Sequence, residues 1–219
     1  MIRKQKLING SLYHIFNKSI AKFQIFNSEF EYERFLDLIN YYSFDKPPVR
    51  YSRLLEYPVT TQNEIINSIP VEDKLVEIIA FCLMPTHYHL ILKQLKKHGI
   101  SILINNIGNS YTHHFNKIHK RKGPLWVGPF KNVLISTDEQ LLHLTRYIHL
   151  NPVSSNLVSD PSEWNYSSYK EFIGVKKNNN RSCEFDKYLN IDSTEYQSFC
   201  EEYINKQREL SLIKHLTLE

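Results

Sequence analysis

Two histidines stand two residues apart, His87 and His89, at the head of the apolar run HYHLILK (87–93). In a strand, side chains at i and i+2 share a face, so both imidazoles can reach one ion. Leu90, Ile91 and Leu92 follow at once, and unpaired imidazoles at the start of a buried strand are costly. The pair therefore holds either a cation or hydrogen-bond partners at a sheet end. Further along, Tyr147 and Asn151 are four apart, a spacing that shares one face of a helix. A phenol, with a pKa of about 10, is a poor nucleophile at neutral pH. Attack on a phosphodiester by tyrosine needs a cation that polarises the phosphate, and a route for the phenolic proton. Two imidazoles and an amide oxygen on a divalent ion would leave positions open for that phosphate. The competing reading of Tyr147, one of 14 tyrosines, is aromatic packing; flanking Arg146 and His149, and the Asn-Pro that closes the helix, weaken it.

The elements that must position these groups follow from hydrophobic period and from breakers. LYHIFNKS (12–19) alternates and predicts a strand. Ser28 with Glu31 has the pattern of a capping box, opening a helix through Phe35, Leu38, Ile39 and Tyr42. Lys46-Pro47-Pro48 ends that unit, and residues 56–70 read as a loop with at most a short helical turn. VEIIAFCLM (76–84) and HYHLILK (87–93), separated by Pro85-Thr86, predict the two strands of a hairpin. From Gly99 to Arg121 a stripe of Ile100, Leu103, Ile104, Ile107, Tyr111, Phe115 and Ile118 predicts one long helix. PLWVGPFKNVLI (124–135) is strand-like with a kink at Gly128-Pro129. Thr137 with Gln140 caps a helix through Leu141, Leu144, Tyr147 and Ile148 that should stop near Asn151, before Pro152. Asp160-Pro161 opens another helix, ended by Gly174; KKNNNRS (176–182) is a polar linker, and the last 35 or so residues read as mainly helical. Interleaved short strands and helices predict an α+β sandwich of ferredoxin-like type, an antiparallel or mixed sheet with helices on one face, and a helical C-terminal extension.

Charge is segregated along the 219 residues. The 60 residues from Ile78 to Thr137 contain no Asp or Glu, where about six would be expected, yet carry eight cations and six of the ten histidines. The remainder carries 19 basic and 23 acidic residues. A basic centre in an otherwise acidic chain reads as a surface for a polyanion, nucleic acid first, against the plainer alternative of a solvated basic face. Neither GxGxxG nor GxxxxGK[ST] occurs, which removes the usual nucleotide-binding readings, and no nucleotide cofactor is expected. No apolar run approaches the ~20 residues of a bilayer helix, so no membrane association is expected. The N-terminus lacks a signal-peptide pattern. Three scattered cysteines without a CxxC pair exclude a disulfide scaffold and suit a reducing cytoplasm.

Several ordered motifs then carry a family resemblance: FCLMPTHYHLILK (81–93), Tyr111-Thr112 with Phe115-Asn116, GPLWVGPFKNVLI (123–135), YIHLNPV (147–153) and WNYSSY (164–169). With LYHIFNKSIAKFQIF (12–26) and EYERFLDLI (31–39), they resemble the single-tyrosine HUH transposases, specifically the REP-associated tyrosine transposase group, over about residues 10–175. The resemblance implies a ferredoxin-like catalytic domain over residues 1–175 that cuts single-stranded DNA, followed by a linker and helical extension over 176–219. It implies that His87 and His89 bind a divalent metal, Mg or Mn, that Asn151 is a third polar ligand, and that Tyr147 is the nucleophile forming a 5′-phosphotyrosine. The expected partner is single-stranded or hairpin DNA, with the protein a monomer or homodimer. Two positions depart from the family pattern: Lys18-Ser19 stands where Arg-Gly is common, and Pro129 where Arg is common. Lys93, Lys117, Lys120, Arg121, Lys122, Lys131 and Arg146 are the expected phosphate contacts. Trp126 and Tyr111 are candidates for base stacking or for core packing. Three alternatives stay open: a domesticated DNA-binding protein that no longer cleaves, a metal phosphodiesterase in which water attacks, and a purely structural domain.

Overall fold

The computed structural model describes residues 6–176 and 181–209. Its strands are β1 (Leu12–Lys18), β2 (Val76–Met84), β3 (His87–Gln94) and β4 (Lys131–Ile135). Its helices are α1 (Glu29–Tyr42), α2 (Tyr51–Leu54), α3 (Val59–Asn67), α4 (Gly99–Ile118), α5 (Asp138–Ser154), α6 (Tyr169–Phe172) and α7 (Ser193–Glu201). The four strands form one antiparallel sheet in the order β2-β3-β1-β4, so the fold is α+β, as the alternation of short strands and helices predicts. Among the described residues no helix is long and apolar enough to cross a membrane.

The residues divide into two compact units. In the first, which runs to Glu77 and resumes at 85–87 and 92–134, α1 packs on α4 through a ring cluster. Phe35 meets Phe26 and Tyr111 edge-on, each at 5.1 Å between ring centres, and all three rings are buried. Tyr111 also donates its hydroxyl to the Ile25 carbonyl, so it is a core residue and is not available to stack on a base. The Pro85-Thr86 turn that leads into β3 is pinned by backbone bonds from Ser19 N to Thr86 O at 2.9 Å and Ile25 N to Pro85 O at 2.8 Å.

In the second unit, which contains 78–84, 88–91 and 135 onward, β2 is buried along its whole length. Its outer edge does not remain open. Leu83 N donates to Tyr166 O at 2.9 Å, Ser168 N to Phe81 O at 3.0 Å, and Glu184 N to Ile78 O at 2.8 Å. An unpaired strand edge is a template for aggregation, and these segments occupy it. Phe172 stacks on Phe185 at 3.8 Å and touches Tyr196 at 4.7 Å, which fastens α6 and the residues after 181 to one another.

Several boundaries depart from the periodicity reading. Residues 56–70 hold the nine-residue α3 instead of a loop. The single helix expected from Asp160 to Gly174 is broken. A capping box and Pro161 open only a 3-10 turn, Pro161–Glu163, and α6 forms after Ser167 bridges to Cys82. Strand-edge pairing at 166–168 outweighs the local helical grammar there. At α1, Ser28 caps without a side-chain bond; Glu31 reaches past it to Asn27 N at 2.6 Å, because its other oxygen holds His119 at 2.6 Å. Pro152 does not stop α5, which continues to Ser154; proline removes only one intrahelical bond so near the end, and burial of Leu150, Pro152 and Val153 supports the last turn. Within the linker read at 176–182, residues 177–180 lie outside the described residues, as do 210–219 of the extension.

Candidate active site

The β2–β3 hairpin and α5 carry the candidate residues. His87 opens β3 and His89 follows two places on, so strand alternation sets both on one face. Thr86 Oγ1 lies 3.0 Å from His87 Nδ1, a bond that orients the ring and assigns its outward role to Nε2. Burial, with Lys18 second, pushes the His87 pKa down to about 4. The imidazole is therefore neutral at pH 7, the form a metal requires.

α5 forms where its grammar predicts. Thr137 Oγ1 accepts from Gln140 N at 3.1 Å, and the Gln140 side chain accepts in turn from Ser136 N at 2.9 Å. Asp138 and Glu139 lie in the first turn, where the helix dipole favours them. The helix is held from behind by His149, which is fully buried. Its Nδ1 is 2.7 Å from the Tyr196 hydroxyl and its Nε2 is 2.7 Å from the Ser168 hydroxyl. Burial lowers its pKa to about 3. Both of its ring nitrogens are thus engaged, and His149 positions α5.

That anchoring turns Tyr147 toward β3. Its ring meets His89 edge-to-face, 6.0 Å between centres and 85° between planes, and it keeps 36% of its surface exposed. Burial first, and the nearby Cys82 thiol second, raise the phenol's pKa. The phenol therefore cannot ionise at neutral pH by itself. Gln207 Nε2 donates to the Tyr147 carbonyl at 2.9 Å. One helical turn on, Asn151 is 8% exposed, and its Nδ2 has no partner among the described residues. A buried amide short of a partner is costly. Rotation about its last side-chain bond exchanges N for O, so Asn151 can present an acceptor at that position. Imidazole nitrogens and an amide oxygen are donors of the kind a divalent ion accepts when water and phosphate oxygens complete its shell. Among the described residues no group of three or more His, Cys, Asp or Glu forms a metal cluster; an amide ligand lies outside that class.

The family described as "Transposase IS200 like" matches residues 49–151, a span that contains His87, His89, Tyr147 and Asn151. The resemblance read from the motifs is met at this level. A solved structure described as the "REP associates tyrosine transposase bound to a REP hairpin" shares the fold, with a TM-score of 0.56 and 18% identity, over 80% of this chain and 86% of that one. A crystal structure from Deinococcus radiodurans, described as of a transposase, aligns at 16% identity over 68% of this chain and 95% of that one, but its TM-score of 0.36 carries no argument. No curated protein matches in sequence.

The expected phosphate contacts separate by environment. Lys117, Lys120, Lys122 and Lys131 are exposed, and Lys93 is half-buried on β3. Arg121 is a brace: it donates to Asn116 Oδ1 at 3.0 Å and Pro124 O at 2.8 Å, tying the chain after α4. Arg146 is sandwiched between the rings of Phe199 and Tyr203, at 3.9 and 3.8 Å, and donates to Phe199 O at 3.3 Å. Its guanidinium holds the C-terminal segment to α5. Trp126 is half-buried, with Nε1 on Thr112 Oγ1 at 3.1 Å. Cys82, Ser168, Tyr196 and Gln207 have no sequence signal that ties them to α5. Cys82 lies in the FCLMPTHYHLILK run and Ser168 in WNYSSY, whereas Tyr196 and Gln207 lie in no motif.

Proposed function

We propose that this chain is a metal-dependent single-strand DNA nicking and rejoining transposase of the REP-associated group, acting through Tyr147. The observation that carries the reading is the Tyr147 ring lying 6.0 Å from His89 within one chain, with His87 two residues before it on the same strand. His87, His89 and Asn151 would hold the ion, Mg²⁺ or Mn²⁺. When bound, such an ion supplies charge that polarises a phosphate and favours the phenolate. The Tyr147 oxygen bonds to phosphorus, the bond from phosphorus to the 3′ oxygen breaks, and the departing 3′ oxygen takes up a proton. The 5′-phosphotyrosine conserves the phosphodiester energy, so rejoining by reversal needs no nucleotide cofactor. The raised pKa of the phenol is the reason the reaction would depend on a cation. Tyr147 serves the histidines of its own subunit, and the three buried free thiols suit action in the cytoplasm.

The exposed lysines supply phosphate contacts, and binding should weaken steeply with salt. Hairpin DNA is the first substrate to test, since the solved relative is described with a REP hairpin. Incubation with end-labelled hairpin DNA and Mn²⁺ should give a covalent adduct that survives SDS. Tyr147→Phe should lose the adduct and keep DNA binding. Turnover without adduct in the parent protein would assign the attack to water, and adduct in the Phe variant would assign it to another tyrosine.

A further inference from the structure

A cleft of about 890 Å³ opens in the first unit between the α1–α2 segment and α4. That volume is within the ~300–1,000 Å³ range of ligand sites. Its walls carry Arg34, Arg50, His113, His114 and Lys117 against a single acidic side chain, Glu56. Asn109 and Ser110 add neutral hydrogen-bonding groups along α4. Two of the wall residues hold orphaned polar atoms: Arg34 Nε and His114 Nε2 are buried without a hydrogen-bond partner among the described residues. Arg34 is only 6% exposed, and its guanidinium is pinned 4.3 Å over the Tyr51 ring, whose hydroxyl donates to Asp37 at 2.7 Å. The cation is thus fixed in place, with a preset geometry instead of a flexible arm.

A fixed, mostly buried guanidinium beside an unpartnered imidazole nitrogen leaves donors to be satisfied from the cleft. The local field has the matching sign. Burial first, then the charges of Arg34, His119 and Lys117, disfavour protonation of His114, and Glu31 opposes them. A dianionic or monoanionic oxygen cluster would relieve that repulsion.

We propose that this cleft is a second phosphate-binding site, taking one backbone phosphate and its unpaired nucleotide from the single-stranded DNA. The proposal deepens the nuclease reading above and rests on it for the identity of the strand. Lys117 and Arg50 approach the phosphate from the rim, and Arg34 and His114 from the floor.

The test follows the His114 ring resonances of the full chain by NMR during titration with inorganic phosphate and, separately, with a hairpinless single-stranded oligonucleotide. Both should shift the His114 signals and raise its pKa, the oligonucleotide at far lower concentration. Asn109→Asp places a carboxylate on the cleft wall at an exposed helical position without changing side-chain size. It should abolish the phosphate response and weaken oligonucleotide binding about fivefold at 0.1 M salt, the loss of roughly one phosphate contact. Arg50→Gln should do the same and lower the slope of log K against log salt by about 0.7. Unmoved His114 signals with both ligands would overturn the site. A response to phosphate but none to the oligonucleotide would overturn its assignment to DNA. The Tyr147 adduct assay reads the proposed nucleophile independently: adduct with a silent cleft leaves that function standing, whereas a responsive cleft in a chain that never forms adduct keeps the binding site and refutes attack by Tyr147.

Discussion

Two glycines of the same helix should respond to alanine in opposite directions. Helix propensity alone favours Ala over Gly by about 1 kcal/mol in a helix interior. At Gly108 nothing opposes this, since an added Cβ would lie 3.7 Å from Trp126 Nε1, an ordinary contact. At Gly99, the first residue of α4, an added Cβ would sit 2.4 Å from the Leu75 carbonyl oxygen. Relief requires that backbone to move by about 1 Å, since ordinary contacts begin near 3.4 Å. The Leu75 oxygen is also the acceptor for Leu95 N at 2.9 Å and Lys96 N at 3.2 Å. Each of those bonds contributes about 1 kcal/mol, and displacing buried Ile100 and Leu103 adds an overpacking cost of about 1–3 kcal/mol. The steric term exceeds the propensity gain. Gly99→Ala should destabilise by about 2–4 kcal/mol, or roughly 4–16 °C in Tm for a chain of this size. Gly108→Ala should be neutral or up to about 1 kcal/mol more stable. Urea unfolding followed by tryptophan fluorescence measures both. A stable Gly99→Ala protein, or two variants shifted in the same direction by similar amounts, would refute the close-approach reasoning.

Acid should loosen each unit through a buried histidine, His14 in the first and His149 in the second. Burial lowers the pKa values of His14 to about 4 and His149 to about 3, below the ~6.5 of an unfolded histidine. The unfolded chain therefore binds protons that the folded one refuses; stability is complete above pH 6.5 and falls on acidification by about 1.4 kcal/mol per pH unit for each group. Between pH 7 and 5 each should contribute a loss of about 2 kcal/mol, and His149→Leu should remove its share from the pH dependence. Parallel pH profiles of parent and variant would contradict this. Asn151→Ala should leave stability without metal nearly unchanged, because the orphaned Nδ2 has no bond to lose. At Mn²⁺ one hundred times the parent Kd, the parent should gain about 2.7 kcal/mol and a tenfold weaker variant only about 1.4 kcal/mol. Equal metal stabilisation in the two would remove Asn151 from the ligand set.

The candidate site residues are legible as a pattern in the chain itself. The i, i+2 spacing of His87 and His89 in an apolar run, and the four-residue step from Tyr147 to Asn151, depend only on strand and helix periods, which are local. So do β2, β3, α4 and the start of α5, each of which has an uninterrupted period and a clear breaker or cap. Local grammar failed where a distant partner competed for the same backbone. Residues 166–168 pair with the edge of β2 instead of continuing a helix, and Glu31 turns to His119, 88 residues away, in place of its own cap. The roles of Arg121 and Arg146 were likewise invisible, since a cation's spacing along the chain does not reveal whether aromatic rings or carbonyls will enclose it. What decides whether Tyr147 faces His89 is the burial of His149 between Tyr196 and Ser168, three residues drawn from separate segments. Helical period sets which side chains travel together on α5; only packing against those segments sets the direction in which that face is turned.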